Sequence, residues 1–176
     1  MENLIAVLLN PVRHNRVTVT ERNTRLAAAV LGFGSVEIVN LSSVPTRDIS
    51  ELSRLGNDPR GWQRSRPSLR RALQRGDRLL FAWGTTRLTG PARSHQLQQI
   101  EWLLQVAQDS GHRTALVLDG LPRHPSRWHQ YVGPTHGRYL GDTLAMRLAQ
   151  ALKEETLTTL RREVLGCSVS DSQLHG

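Results

Sequence analysis

Short apolar runs of strand length recur along the chain, separated by segments whose apolar residues fall at helical spacing. The first run is Leu4–Leu9, closed by Asn10-Pro11, and the second is Val36–Val39, closed by Asn40. A third, Leu79–Trp83, follows Gly76-Asp77 and ends at Gly84; a fourth, Ala115–Leu118, is closed by Asp119-Gly120. Runs of this length bounded by turn residues read as buried strands. Before the second run, Thr18-Val19-Thr20-Glu21 spells a capping box, in which a Thr and a Glu three residues on satisfy orphan helix donors. The helix it opens carries Leu26, Ala27, Val30 and Leu31, and Gly32 suits its C-terminal end. Another helix is predicted from Ala92 to Asp109, with Leu97, Ile100, Leu103, Leu104 and Ala107 on one face. After Gly141-Asp142, the residues Leu144, Leu148, Ala151 and Leu152 mark a further helix continuing through Leu160 and Val164. The segment Gly56–Pro67, with Asn57-Asp58-Pro59, Gly61 and Pro67, reads as a long loop.

Strand–helix alternation with near-continuous apolar strands predicts an α/β fold: a parallel sheet covered on both faces, hence a three-layer sandwich. One domain over residues 1–165 is expected, with residues 166–176 a polar tail. In open sheets of this class, ligands bind in the crevice beyond the carboxyl ends of the strands. Asn10, Asn40, Gly84 and Asp119 all fall at predicted strand exits, which locates a site before any motif is invoked.

Composition narrows the function. The chain has 176 residues, 38 % of them hydrophobic, enough for an ordinary core. Its 23 basic residues against 15 acidic ones give a net charge of +8, and all the basic residues but Lys153 are arginine. Guanidinium forks match phosphate geometry, so the excess favours polyanion partners. A lone cysteine, Cys167, excludes a disulfide framework and a thiolate zinc site. The run Leu4–Leu9 lacks the positive flank of a signal peptide, and no stretch approaches the ~20 apolar residues of a membrane span. A cytoplasmic protein without membrane contact, and a monomer, is expected.

Several residues can carry chemistry, each with a structural alternative. Pro11 ends the first strand and presents Asn10 at the sheet edge, where it meets a water or hydroxyl or, as a turn residue, bonds its own backbone. Asn40 offers the carbonyl and NH₂ needed to read a base edge, or caps the strand. Phe81 and Trp83 share a strand face and suit the core, while Gly84 permits close backbone approach. His124, held between Arg123 and Pro125-Ser126, can donate a hydrogen bond to a leaving group. His124, His129 and His136 lack a helical register and an acidic partner, so no metal is expected. From Arg54 to Arg78 eight arginines, among them Arg64, Arg66 and Arg70, face only Asp58 and Asp77, with Trp62 between them. They form a nucleic-acid patch or a solvated face. Arg127-Trp128 either wedges into a base stack or packs.

Two resemblances sharpen these alternatives. Leu8-Leu9-Asn10-Pro11, Thr20-x-Arg22, Gly32-Phe33-Gly34, Val39-Asn40-Leu41, Ala82-Trp83-Gly84 and Pro122-Arg123-His124-Pro125 together resemble a bacterial family, domain of unknown function 1643, over about residues 5 to 132. The order Asn10-Pro11, Asn40, Trp83-Gly84, His124-Pro125-Ser126 is similar, more distantly, to the uracil-DNA glycosylase superfamily. Val12 stands where the mismatch-specific branch of that superfamily has glycine. The second resemblance implies a uracil-DNA-glycosylase-like fold and an N-glycosidase that removes a damaged or deaminated base without a cofactor. It implies that Asn10 positions water and His124 stabilises the departing base, with Pro11, Asn40, Trp83, Gly84 and Ser126 binding it. Arg64, Arg66, Arg70, Arg123, Arg127 and Trp128 would hold the nucleic acid, DNA ahead of RNA. Because Asn10 is neutral, slow or lesion-selective turnover is expected. The alternatives are a non-catalytic nucleic-acid-binding module and an enzyme acting on a free nucleoside or nucleotide.

Overall fold

The strand β1 (Asn3–Leu8) is the centre of the molecule: Leu4, Ile5, Ala6 and Val7 are wholly shielded from solvent. In the computed structural model, which describes residues 1–13 and 17–166, it pairs in parallel with β2 (Ser35–Asn40) on one side and β3 (Arg78–Phe81) on the other. Next to β3 lies β4 (Thr114–Leu118), also parallel, and the five-stranded sheet ends at β5 (Leu152–Thr156), which runs antiparallel to β4. The order is β2-β1-β3-β4-β5.

Because successive side chains point to opposite faces, β1 feeds two cores. Ile5 and Val7 pack with α2 (Ile49–Leu55), α3 (Arg60–Arg75), α4 (Gly90–Asp109) and α7 (Leu157–Leu165). Leu4, Ala6 and Leu8 pack with α1 (Val19–Val30), α5 (Trp128–Tyr131) and α6 (Leu144–Ala151). The result is a mixed α/β sheet, mostly parallel, flanked by helices on both faces. Among the described residues no helix is long and apolar enough to cross a membrane.

The four predicted strands and the helices α1 and α4 form where the pattern places them. Thr18 caps α1 by accepting the Glu21 N–H at 3.1 Å, although the Glu21 carboxylate turns to Arg25 instead of closing the box. Gly32 follows the helix with φ +80°, the left-handed conformation that ends it.

Two expectations fail. Residues 60–67 are not loop but the first half of α3, with Pro67 inside the helix. Proline there removes one helical hydrogen bond, but the site is exposed, so the freed Gln63 carbonyl meets water. The buried face of Trp62, Ser65, Leu69, Ala72 and Leu73 holds the helix down. The helix predicted from 144 through 164 is split by β5. Leu152, Lys153, Glu154 and Glu155 favour helix intrinsically, yet β4 would otherwise leave a row of backbone donors and acceptors unpaired. Register pairs Leu118 with Leu152 and Thr114 with Thr156. Lys153, Glu154 and Glu155 then blunt the new sheet edge with charge. Cys167, His14 and the predicted polar tail beyond Gly166 lie outside the described residues.

Candidate functional site

The carboxyl ends of β1, β2 and β3 and the loop after β4 open on one cavity of about 860 Å³. Asn10, Pro11, Asn40, Trp83, Gly84, His124, Ser126 and Arg127 all line it. These residues come from four separate segments of sequence, and the sheet order is what brings them together. Val36, Ile38 and Asn40 alternate along β2 and so share a face, giving the cavity an apolar strip that ends in an amide.

Asn10 makes the turn bonds that the structural alternative called for, and its other amide atom stays open. Its Nδ2 donates to the Pro11 carbonyl at 3.0 Å and to Thr46 Oγ1 at 2.8 Å. These bonds tie the β1 exit to the loop after β2, and they fix the amide orientation because a carbonyl can only accept. Oδ1 accepts no hydrogen bond from the described residues and is left for a water or a ligand hydroxyl. The same loops are laced from outside by Glu51. Its carboxylate accepts the Arg47 N–H at 2.8 Å and pairs with Arg13 at 2.9 Å. The Arg47 backbone bond, helped by the Arg13 and Arg47 guanidiniums and opposed by burial, holds the Glu51 carboxyl below its ordinary range.

His124 is set by its neighbours on a rigid turn. Nδ1 lies 2.8 Å from Ser126 Oγ and faces the Ser126 N–H at 3.4 Å. A backbone N–H can only donate, so Nδ1 is the acceptor and the proton resides on Nε2. Burial, assisted by the nearby Arg127 guanidinium, pushes the imidazole pKa below its usual value, so the ring is neutral at pH 7. A neutral ring with a fixed Nε2–H is a hydrogen-bond donor that carries no charge. Gly84 makes the close approach possible: φ is +94°, its N–H donates to the Pro122 carbonyl, and a Cβ there would sit 3.4 Å from His124 Cβ. Trp83 is buried against Phe81, ring centroids 4.7 Å apart, and forms the cavity floor.

Asn40 is half-buried, and its side chain makes no hydrogen bond with the described residues. Its position is secured from below by Gln99 of α4, whose Nε2 donates to the Leu41 and Trp62 carbonyls, each at 2.9 Å. One turn earlier, Gln96 accepts the Leu88 N–H at 3.0 Å and pins the loop after Gly84. Sequence reading missed both glutamines. Their signal was present, since Gln96 and Gln99 fall in phase with Ala92, Ile100 and Leu103 on the buried stripe. Polar side chains there must find partners. Thr20 and Glu21 of α1 and Asp48 at the start of α2 also line the cavity and were not anticipated.

Other expected residues stand elsewhere. Arg64, Arg66 and Arg70 do not line the cavity: they ride on α3, with Arg66 and Arg70 over the Trp102 ring at 4.8 and 5.6 Å. Trp128 is fully buried and donates Nε1–H to the Arg123 carbonyl at 2.8 Å, so it packs and is no wedge. Arg123 lies 3.8 Å over the Tyr131 ring and 3.7 Å from Asp119, turned away from the cavity. Asp119 does stand at the exit of β4, but it does not line the cavity and accepts hydrogen bonds from Tyr139 and Arg138. Of the cavity arginines, Arg25 pairs with Glu21 and Arg47 with Glu51, while Arg127 is exposed and has no acidic partner among the described residues.

No curated protein and no solved structure matches the chain. One family model does, over residues 1–126, a span that contains every cavity segment up to Ser126. The chain therefore belongs to the family described as protein of unknown function (DUF1643).

Proposed function

We propose that the cavity binds a nucleobase and that the protein is an N-glycosidase acting on nucleic acid, removing a damaged or deaminated base. What supports this reading is the convergence on one cavity of three neutral groups with complementary abilities. Among the described residues nothing bonds the Asn40 amide or Asn10 Oδ1, and His124 offers a neutral Nε2–H. Cleaving an N-glycosidic bond leaves the bonding electron pair on the base and positive charge on the sugar carbon. The His124 Nε2–H donates to the base as its negative charge grows, a bond that strengthens toward the transition state. Asn10 Oδ1 accepts a hydrogen bond from the water that supplies hydroxyl to the sugar carbon. Being an amide, it orients that water and leaves its proton to solvent. Asn40 discriminates the base by its hydrogen-bonding edge.

A second reading, action on a free nucleoside or nucleotide, is favoured by one observation. Arg127 is the cavity arginine without a carboxylate partner among the described residues, and one guanidinium suits one phosphate group.

The test is base release from single- and double-stranded oligonucleotides carrying uracil, hypoxanthine, xanthine or a mismatched thymine, with free nucleotides in parallel. Release from oligonucleotides, lowered roughly 10²–10³-fold in folded His124→Ala, is expected if one preorganised donor is lost. Release from free nucleotides alone moves the assignment to the second reading. No release from any substrate, with oligonucleotide binding retained, overturns both in favour of a non-catalytic binding module.

A further inference from the structure

We propose that the outer face of α3 is a phosphate-tracking surface, along which a nucleic-acid strand seated in the cavity continues across the molecule. This inference rests on the nucleic-acid reading of the cavity but on a different set of residues. The helix holds six arginines and no acidic residue. Arg60, Arg64, Arg71 and Arg75 recur at intervals of four, seven and four residues, and so form one stripe opposite the buried Trp62, Leu69 and Leu73. At 1.5 Å per residue the stripe runs about 22 Å.

Its charge is arranged in a way that a merely solvated helix avoids. Arg60 with Arg64, Arg66 with Arg70, and Arg71 with Arg75 are three like-charge pairs at i,i+4, each destabilising to a bare helix. The ends of the stripe are neutralised within the protein, Arg60 by Asp58 at 2.7 Å and Arg75 by Glu37 at 2.9 Å. Hydrogen bonds from Arg60, with a smaller pull from Arg64, hold the Asp58 carboxyl down at about 2, so that end stays paired. Arg64 and Arg71 in the middle are exposed and have no ion pair among the described residues. Arg66 and Arg70 share the Trp102 ring, with Arg66 held by Gln99 Oε1 at 2.9 Å. Asp58 and Glu37 offset the pairs at the two ends, so the charge left uncompensated on this face is that of Arg64 and Arg71, which an anionic ligand neutralises.

The stripe also begins beside the cavity. Ser43 donates both its N–H and its hydroxyl to the Gly61 carbonyl in the first turn of α3, each at 2.9 Å. Thr46 and Arg47, three and four residues further along that loop, line the cavity. A strand leaving the cavity over this loop therefore reaches the first turn of α3, where the stripe starts. The occupant is a phosphodiester backbone: guanidinium forks fit phosphate oxygens, and Pro67 and Ser68, which fill the stripe between Arg64 and Arg71, offer no apolar anchor for a bilayer.

The experiment is fluorescence anisotropy of a lesion-free, mixed-sequence single-stranded 20-mer, titrated between 50 and 200 mM salt. Arg64→Gln/Arg71→Gln is compared with Arg113→Gln/Arg162→Gln, which removes the same charge from exposed positions outside α3. The stripe pair is expected to weaken binding at least tenfold and to flatten the salt slope by about 1.4, or 0.7 for each lost phosphate contact. The control pair is expected to change affinity less than twofold. Equal losses in the two pairs, or unchanged affinity in the stripe pair, overturn the proposal. So does binding of polyglutamate or phosphatidylserine vesicles as tight as that of the 20-mer. Base release by the wild type is read separately, so the cavity reading stands or falls on its own result.

Discussion

Replacing Asn10 by alanine tests whether this residue is a structural tie as well as a ligand-facing group. The substitution deletes the Nδ2 bonds to Thr46 Oγ1 at 2.8 Å and to the Pro11 carbonyl at 3.0 Å. At a net 0.5–1.5 kcal/mol each, the expected loss is about 1–3 kcal/mol. For a chain of this length each kcal/mol lowers Tm by about 2–4 °C. Thr46→Val removes the same bond from the other side, together with the weaker Oγ1 bond to the Asp48 carbonyl at 3.3 Å. The two substitutions share one interaction, so urea denaturation of both singles and the double variant should give a coupling of about 0.5–1.5 kcal/mol. Additivity within about 0.3 kcal/mol would refute the reasoning, because the Asn10–Thr46 bond would then contribute nothing to the loop. The outcome also decides how activity data are read. If the coupling is present, lost activity in Asn10→Ala mixes a missing acceptor with a loosened cavity wall, and His124→Ala is the cleaner probe of chemistry.

Two further results are expected. Gly84→Ala should cost about 1–3 kcal/mol in urea unfolding, since φ +94° strains any residue with a Cβ and the new methyl abuts His124; wild-type stability in this variant would contradict the assigned backbone. His124 titrates below its ordinary 6.5 in the folded protein, so between 6.5 and the lower value the unfolded chain binds more protons. The His124 part of stability is therefore constant above about pH 6.5 and falls as pH drops through that window; in His124→Asn the difference from wild type should shrink on acidification, and a gap that widens would reverse the sign.

The sequence by itself was decisive wherever one strong local signal acted alone. The apolar runs Leu4–Leu9, Val36–Val39, Leu79–Trp83 and Ala115–Leu118 each became a strand, because a run that size has few ways to leave water, although Val36–Val39 lies in the half-buried edge strand β2 with only Val39 buried. The residues that end the first three, Asn10, Asn40 and Gly84, became cavity residues, because parallel strands put their exits at one end of the sheet. Local rules failed where two signals competed. The prolines and glycines of Gly56–Pro67 signal a loop, but in the fold Pro67 faces solvent and the apolar face of Trp62, Leu69 and Leu73 packs in the core. The run Leu152–Glu155 favours helix in isolation, and only the open edge of β4 made it a strand.

Tertiary structure alone also divided the arginines. Nothing in the order of residues says that Arg66 and Arg70 lie on Trp102, that Arg123 turns to Asp119, or that Arg127 is the cavity arginine left without a carboxylate among the described residues. The Trp102 contacts join residues distant in sequence, and a charge takes its meaning from what lies within a few ångströms. The same holds for Trp128, whose burial depends on α1 and α6 closing over it, and for Gln99, a polar residue on an apolar stripe. The chain pattern set the strands and the end of the sheet at which a site must lie; packing decided which side chains remained free to act there.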